Sequence, residues 1–340
     1  MPLIPKSVHE PTKLRLEGYN AFSETTIKVV AKFAKKQASY KTYQDFFKSV
    51  KLPEPKLYLN EKGEGVPVVD IAASKKEKGT IVIHLPMANP LDANQLYNVA
   101  TIVATNPNYR VIAFGNPSGA PFSYKQQNLT FKKRFGIGTL RNLRPLISAE
   151  IDYLFKHGIS DMHHLGYSFG AHKALVETSY MEPGQVKSLI LIDPVAHPRG
   201  LKQLIENFKS SFKPLGEYVN RTKLQTYFDA RAEAAETKHH DRALMRPINI
   251  AIGFMMARLD FIPMLQKTVG QQSNLRVTVA WGSKSELGND AHFTTTLNQL
   301  AHDKPGKLHS VRFDGYKHAF ANDVHLYAAI VREGLLKVEQ

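Results

Sequence analysis

The sequence predicts an α/β protein in which a mostly parallel sheet is flanked by helices. Three observations predict this class. Short runs such as TIVIHL, residues 80–85, are apolar on both faces, as strands inside a parallel sheet are. These runs alternate with helix-like stretches along most of the chain. The length of 340 residues and the hydrophobic share of 43% allow one large domain with an insertion.

The chain begins with a predicted helical lead-in, residues 1–55. Apolar side chains at Ile27, Val30 and Phe33 have the spacing of one helix face, and a second short helix is expected to follow them. We expect this face to pack on the body of the protein rather than on a membrane.

The remaining chain divides into three predicted segments. Residues 56–196 hold six β-rich runs and form the first part of the sheet. Residues 197–274 contain no strand-like run and are interpreted as a helical cap, in which Met255 and Met256 either pack internally or line a substrate cavity. Residues 275–340 resume the alternation and supply the last two strands, which makes a sheet of eight strands with the cap after the sixth.

Composition limits the partners and the location. The sequence has no cysteine, so disulfides and thiolate chemistry are excluded. It has no apolar run long enough for a membrane helix and no secretory signal pattern, so we expect a soluble, cytoplasmic protein that is not an integral membrane protein. The net charge of +15 predicts weak association with anionic surfaces. The basic residues are scattered and accompany no nucleic-acid motif, so no specific nucleic acid is expected.

The stretch GYSFG, residues 166–170, is the first candidate for chemistry. It lies where a strand is predicted to end and a helix to begin, which is the setting of a nucleophilic serine in a sharp turn. Gly166 and Gly170 provide space in such a crowded turn. The free N–H groups at the start of the following helix stabilise a developing anion, and the N–H of Phe169 is the first expected donor. The pattern predicts Ser168 as a nucleophile.

From this turn onward the chain resembles the α/β-hydrolase superfamily, and in particular its serine esterases and lipase-like members with a cap. The resemblance covers about residues 56–338 and includes the turn GYSFG, the eight strands and a histidine after the last strand. It implies that His318 is the general base. It also implies hydrolysis of a small-molecule ester or related acyl bond through an acyl-enzyme on Ser168, without a metal or an organic cofactor.

The resemblance leaves the acid open. Family members usually carry Asp three residues after the glycine that ends the seventh strand, and that position is Ser285 here. Glu286 is adjacent to it and Asp290 lies farther along the same loop. Some lipases take the acid from the end of the sixth strand, where this chain has Asp193. Asp193 and Glu286 are therefore equal candidates, and Asp290 is the third.

The second oxyanion donor is expected after the third strand, in HLPMANP. Family members often have His-Gly and then the donor, but here Leu85 replaces the glycine and Pro86, which has no N–H, follows it. Donation is expected to shift to Met87 or Ala88.

Other functions remain open at this point. An acyltransferase and a carbon-carbon bond hydrolase would use the same serine and histidine, and the departures at Pro86 and Ser285 also suit a binding protein without catalysis. His163 and His164 are adjacent on a strand, so their side chains are expected on opposite faces and cannot bind one metal ion together.

Overall fold

The computed structural model describes most of the chain, in these ranges: residues 21–40, 43–87, 91, 93–116, 136–137, 142–196, 247–285, 287 and 291–339. Five features predicted from the sequence lie wholly or in part outside these residues: Ala88, Glu286, Asp290, residues 197–246 of the predicted cap, and residues 1–20 and 41–42 of the predicted lead-in.

The described residues form one eight-stranded sheet in the order β1-β2-β4-β3-β5-β6-β7-β8. β2 pairs antiparallel with β1 and β4, and every other pair of neighbours is parallel. The predicted class, a mostly parallel sheet of eight strands between helices, is confirmed. The strands are Lys56–Leu59 (β1), Gly65–Ile71 (β2), Gly79–His84 (β3), Tyr109–Phe114 (β4), Met162–Tyr167 (β5), Val186–Ile192 (β6), Arg276–Gly282 (β7) and Leu308–Phe313 (β8).

Helices connect most of the parallel strands and precede the sheet. The described α-helices are Glu24–Gln37 (α1), Tyr43–Ser49 (α2), Ala93–Thr105 (α3), Arg144–Lys156 (α4), Phe169–Thr178 (α5), Pro247–Met256 (α6), Phe261–Gln271 (α7), Ala291–Asp303 (α8) and Val324–Glu339 (α9). A 3-10 turn, His318–Asn322, lies between β8 and α9.

The sheet has an apolar core on each face, which explains why its central strands are apolar on both sides. One core contains residues of α1, α3 and α9, including Val30, Val99 and Ile330. The other contains residues of α4, α5, α7 and α8, including Ala174 and Phe261. Because the parallel strands share one direction, their carboxyl ends meet along one edge of the sheet, where a ligand site is expected in an open α/β sheet.

The lead-in forms the two helices that the sequence predicts. Val30 and Phe33 of α1 are buried, and α1 is tied to the last helix by Glu333, which accepts a hydrogen bond from the Thr26 hydroxyl at 2.8 Å. The N-terminal part described here therefore packs on the body of the protein.

The predicted cap is described only from residue 247. α6 and α7 meet at a break with a bend of 82°. α7 packs against α5 and α8 through Phe261 and Leu265, in the core of the sheet's second face. No described helix is by itself long and apolar enough to cross a membrane, although the bent pair Ile248–Met256 and Phe261–Gln271 has sufficient length and composition together.

Candidate active site

Ser168 alone forms the turn between the central strand β5 and helix α5. β5 ends at Tyr167 and α5 begins at Phe169. The backbone angles of Ser168, φ 55° and ψ −121°, lie where residues with a side chain are rarely found. Its amide donates a hydrogen bond of 2.8 Å to the carbonyl of Ile192 on β6. The sheet therefore holds the serine in a strained backbone conformation. Strain of this kind is found mostly at functional sites, where the surrounding structure enforces the position of a side chain.

Gly166 and Gly170 provide the space that this turn needs. A Cβ atom at Gly166 would lie 2.4 Å from the carbonyl oxygen of Gly170, and one at Gly170 would lie 2.1 Å from the carbonyl oxygen of His84. Both contacts are far inside van der Waals distance and involve backbone atoms, so a side chain at either position would force the strands and helix apart. The crowding predicted for the two glycines is present.

Three side chains from three strand ends meet beside this turn. Asp193 directly follows β6, and His318 begins the 3-10 turn after β8. His318 Nε2 lies 3.0 Å from Ser168 Oγ, and His318 Nδ1 lies 2.5 Å from Asp193 Oδ2. A neutral imidazole satisfies both contacts when it accepts the serine hydroxyl at Nε2 and donates from Nδ1 to the carboxylate. All three side chains are buried.

Both oxygen atoms of the Asp193 carboxylate are hydrogen-bonded. Oδ1 accepts a hydrogen bond of 3.1 Å from the Gly282 amide, and Oδ2 accepts one of 2.6 Å from Ser285 Oγ in addition to His318. The Asp193 amide also donates to the Ala280 carbonyl at 2.6 Å. Two neighbouring strand ends, β6 and β7, thus build one carboxylate site.

Of the three predicted acids, Asp193 lies within the described residues, and its carboxylate contacts His318. Ser285, at the position where family members usually carry Asp, donates a hydrogen bond to the Asp193 carboxylate. Glu286 and Asp290 lie outside the described residues. Contact of an acid with His318 depends on how the ends of β6 and β7 and the loop after β7 are placed, and no local sequence pattern encodes that placement.

Tyr167 is a site residue that the sequence reasoning missed. Its ring stacks on the imidazole of His318, with a centroid distance of 5.4 Å and an angle of 28°. Its hydroxyl donates a hydrogen bond of 2.8 Å to the His318 carbonyl oxygen. The residue before the serine therefore fixes both the ring and the backbone of the histidine. The only sequence signal for this role was the aromatic side chain of Tyr167 within GYSFG.

The chain after β3 runs close to the start of α5. The Pro86 carbonyl accepts a hydrogen bond of 3.0 Å from the Asn116 side chain, which anchors this loop to the end of β4. Met87 and Phe169 are buried in one apolar cluster. Phe169 is the first residue of α5, so its N–H has no partner within the helix. Ala88, the other donor predicted for this loop, lies outside the described residues.

The apolar cluster around Met87 and Phe169 extends into α6. It includes Met255 and Met256, which are almost completely buried. The two methionines thus pack in the same cluster as the two predicted oxyanion residues, and not only against other residues of the predicted cap.

A second group of polar side chains lies beneath α5, in the interior of the protein. Lys173 and Glu177 of α5, Glu150 of α4, His84 of β3 and His164 of β5 are all buried. The Lys173 ammonium forms an ion pair with Glu150 Oε1. The other approaches between charged atoms and ring nitrogens are longer, from 3.3 to 3.9 Å. We call these five residues the buried polar cluster.

Burial sets the protonation of this cluster. It lowers the pKa of both His84 and His164, so both imidazoles are neutral near pH 7. Burial together with the nearby charge of Glu150 raises the pKa of Glu177 well above its usual value. Burial alone would raise the pKa of Glu150, but the charges and polar contacts of Lys173 and His84 together outweigh burial and lower that pKa.

The two adjacent histidines of β5 face opposite sides, as predicted. His163 Nδ1 lies 2.9 Å from Ser188 Oγ and its ring meets Tyr109 edge to face. His164 instead faces α5, with Nε2 3.9 Å from Glu177 Oε1. Only His164 belongs to the buried polar cluster.

Comparisons with known proteins agree with this architecture. No protein-family model and no curated protein sequence matches the chain. Several solved structures are similar to it. A serine hydrolase of the polyaromatic hydrocarbon-degrading bacterium Cycloclasticus zankles is 16% identical, with a TM-score of 0.55 and coverage of 83% of this chain and 97% of that one. A thermostable carboxyl esterase of Bacillus coagulans is 11% identical, with a TM-score of 0.56 and the same coverage. A bromoperoxidase of Bacillus anthracis is 14% identical, with a TM-score of 0.52 and coverage of 84% and 100%. Likeness at this identity shows a common fold.

Proposed function

We propose, from the premise that this chain has the α/β-hydrolase fold, that it is a serine hydrolase of small-molecule carboxylic esters or related acyl compounds. One observation carries the proposal: Ser168, His318 and Asp193 form a continuous series of hydrogen bonds of 3.0 and 2.5 Å at a strained strand-to-helix turn. A series of this kind makes a serine hydroxyl nucleophilic.

In the proposed reaction Ser168 Oγ attacks the acyl carbon while His318 Nε2 accepts the hydroxyl proton. The tetrahedral intermediate collapses, the leaving alcohol takes that proton from His318, and the acyl group stays on Ser168 as an ester. A water molecule then attacks the acyl carbon, again giving a proton to His318 Nε2. Collapse of the second intermediate returns this proton to Ser168 and releases the carboxylic acid.

Asp193 is proposed as the acid of this series. Its carboxylate accepts the Nδ1 proton of His318 and stabilises the imidazolium that forms twice per turnover. The hydrogen bonds from Gly282 and Ser285 keep the carboxylate oriented toward the ring. Tyr167 is a positioning residue, because it holds the ring and the carbonyl of His318.

The backbone N–H groups of Phe169 and Met87 are proposed as the oxyanion donors. The Phe169 N–H belongs to the free N-terminal end of α5, where the helix dipole also favours negative charge. Pro86 has no N–H, so Met87 is the next residue after it that can donate. The apolar cluster that surrounds both residues, together with α6, suits an apolar acyl group.

A fluorophosphonate probe tests the nucleophile directly. The full-length protein should be labelled with a stoichiometry near one, and Ser168→Ala should abolish both labelling and hydrolysis of p-nitrophenyl butyrate. Ser179→Ala is the matched control, because Ser179 lies at the other end of α5 and is exposed. It should keep both activities.

Two results would contradict the proposal. One is a folded wild-type protein, verified by circular dichroism, that neither reacts with the probe nor hydrolyses the ester. The other is labelling that persists in Ser168→Ala. The first result would favour a binding protein that has the fold without the reaction.

A further inference from the structure

The buried polar cluster contains three side chains that point their ligand atoms at one place. His84 ends β3, His164 lies in β5, and Glu177 lies near the end of α5. One ring nitrogen of each histidine and one carboxylate oxygen of Glu177 all lie within 4.8 Å of one another. Their side chains are completely buried. Three separate elements therefore converge on this point from different directions.

These ligand atoms have no hydrogen-bond partner in the part of the chain that the structure describes. His84 Nε2, His164 Nε2 and both carboxylate oxygens of Glu177 are unpaired there. Glu177 Oε1 lies 3.7 Å from His84 Nε2 and 3.9 Å from His164 Nε2, which is too long for hydrogen bonds. Buried polar atoms are nearly always paired, so an unpaired convergent set indicates that something lies between them.

We infer that His84, His164 and Glu177 form a binding site for a divalent transition-metal ion, with zinc as the first choice. Zinc bonds to histidine nitrogen and carboxylate oxygen are about 2.0–2.2 Å long, which places tetrahedral ligand atoms about 3.3–3.6 Å apart. The two measured separations need to shorten by a few tenths of an ångström to reach this spacing. Two imidazoles and one carboxylate suit zinc rather than calcium or magnesium, which prefer oxygen ligands.

The outer nitrogen of each histidine lies near an oxygen atom that can orient the ring. His164 Nδ1 lies 3.4 Å from Thr178 Oγ1, and His84 Nδ1 lies 3.3 Å from Glu150 Oε2 without the geometry of a hydrogen bond. Metal-binding histidines usually direct their other ring nitrogen to such a carboxylate or hydroxyl, which leaves the inner nitrogen free to bind the ion. The cluster thus has both the ligands and the second layer of a metal site.

The charges of the cluster also fit a dication. Lys173 forms an ion pair with Glu150, and among the described residues no lysine or arginine forms an ion pair with Glu177. Two carboxylates, one ammonium and one dication give a net charge of +1. A zinc ion held by two histidines, one glutamate and a water molecule has the same net charge, so Lys173 does not prevent binding.

This ion would join β3, β5 and α5 below the turn that carries Ser168. It would not contact Ser168, so the inference is independent of the proposed hydrolase reaction. The rival explanation is a single proton on Glu177 that is shared with the histidines. The two explanations differ in what is bound, which elemental analysis measures.

The test uses untagged full-length protein, unfolded with chelator and refolded with or without Zn²⁺, because the site is closed to solvent once folded. About one zinc per chain should remain after desalting. His164→Gln and Glu177→Gln should lose that equivalent. His163→Gln, the neighbour that faces the other side of β5, should keep it. Refolding with Co²⁺ should give visible absorption bands in the wild type and not in Glu177→Gln.

The outcomes separate clearly. Less than about 0.1 zinc per chain and no cobalt bands in the folded wild type would overturn the inference and favour the shared proton. Zinc retained by a folded Glu177→Gln would also overturn it, because the ion would then lie elsewhere. Glutamine has nearly the shape of glutamate, so this variant remains informative if His164→Gln does not fold.

Discussion

Helix α5 has two polar groups around it, and they differ in how well they are paired. At its N-terminal end, Ser168, His318 and Asp193 are joined by contacts of 2.5–3.0 Å. Below it, the cluster of His84, His164 and Glu177 is more deeply buried, yet its contacts are 3.7 and 3.9 Å. Burial is common to both groups, so it does not distinguish them. The side chains of the first group therefore pair with one another, whereas those of the second group leave room for the proposed metal ion or, in the rival explanation, for a proton.

The largest effect on ester hydrolysis should follow from replacing Asp193, the proposed acid of the group that it forms with Ser168 and His318. Asp193→Asn removes the charge that stabilises the imidazolium and also favours the wrong tautomer of His318. We expect kcat/KM for p-nitrophenyl butyrate to fall about 10⁴-fold, the scale known for the same change in a serine protease. Asp260→Asn, at the start of α7, is the control and should behave as wild type. Activity of Asp193→Asn within tenfold of wild type would show that another residue is the acid.

The next effect should come from the ion pair of the buried polar cluster. Lys173→Met leaves the carboxylate of Glu150 buried without a cation, which typically costs about 3–5 kcal/mol of folding free energy. Urea unfolding at pH 7.5 measures this loss. Lys187→Met removes the exposed ion pair with Asp161, whose N–O distance is 3.1 Å, and should cost less than about 1 kcal/mol. Equal losses of folding free energy in the two variants would show that the buried ion pair is no more important for stability than the exposed one.

A smaller effect tests the opposite face of β5, where His163 is paired with Ser188. Burial lowers the pKa of His163 to about 4, whereas the unfolded chain has a histidine pKa of about 6.5. The unfolded state therefore binds the proton more tightly, so the contribution is fully present above pH 6.5 and is lost as the pH falls toward 4. At pH 5 the loss should be about 2 kcal/mol.

Unfolding of wild type and His163→Gln in urea at pH 7.5 and pH 5 measures this contribution. The variant should lose about 2 kcal/mol less than wild type between the two pH values. Identical losses would mean that His163 does not titrate as its burial predicts.

The smallest effect should come from removing one hydrogen bond that Asp193 accepts from outside the group of Ser168, His318 and Asp193. Ser285→Ala removes one hydrogen bond to Asp193 Oδ2 while the Gly282 amide and His318 remain. A hydrogen bond to a charged group contributes about 1.5–3 kcal/mol, and only the part that differs between the ground state and the transition state changes kcat, so kcat should fall about tenfold, which is about 1.4 kcal/mol, while KM stays unchanged. Ser283→Ala, which removes the acceptor of the Gly315 amide, is the control. An unchanged kcat in Ser285→Ala would show that Ser285 fills space only.

Local patterns predicted the sheet and the turn at Ser168, whereas His318 was expected from the resemblance to the α/β-hydrolase superfamily. Alternating apolar runs identify strands, and a serine between two glycines identifies a sharp turn. The sequence left Asp193 and Glu286 as equal candidates, because contact with His318 depends on the placing of β6, β7 and the loop after β7; Glu286 lies outside the described residues. The sequence also could not predict the buried polar cluster. His84, Glu150 and Glu177 come from distant elements, and no local pattern distinguishes them from exposed polar residues.

The pairing of Ser168 with His318 joins residues that are 150 positions apart. His318 follows β8, the outermost strand on its side of the sheet and the last to be synthesised. Closing so long a loop is among the slowest contacts to form in folding. A nascent chain that stops before β8 lacks His318, the proposed base, so we expect it to be inert however well its serine turn has folded. Recovery of ester hydrolysis during refolding should consequently lag behind the recovery of helical signal, and so report the completion of the whole sheet.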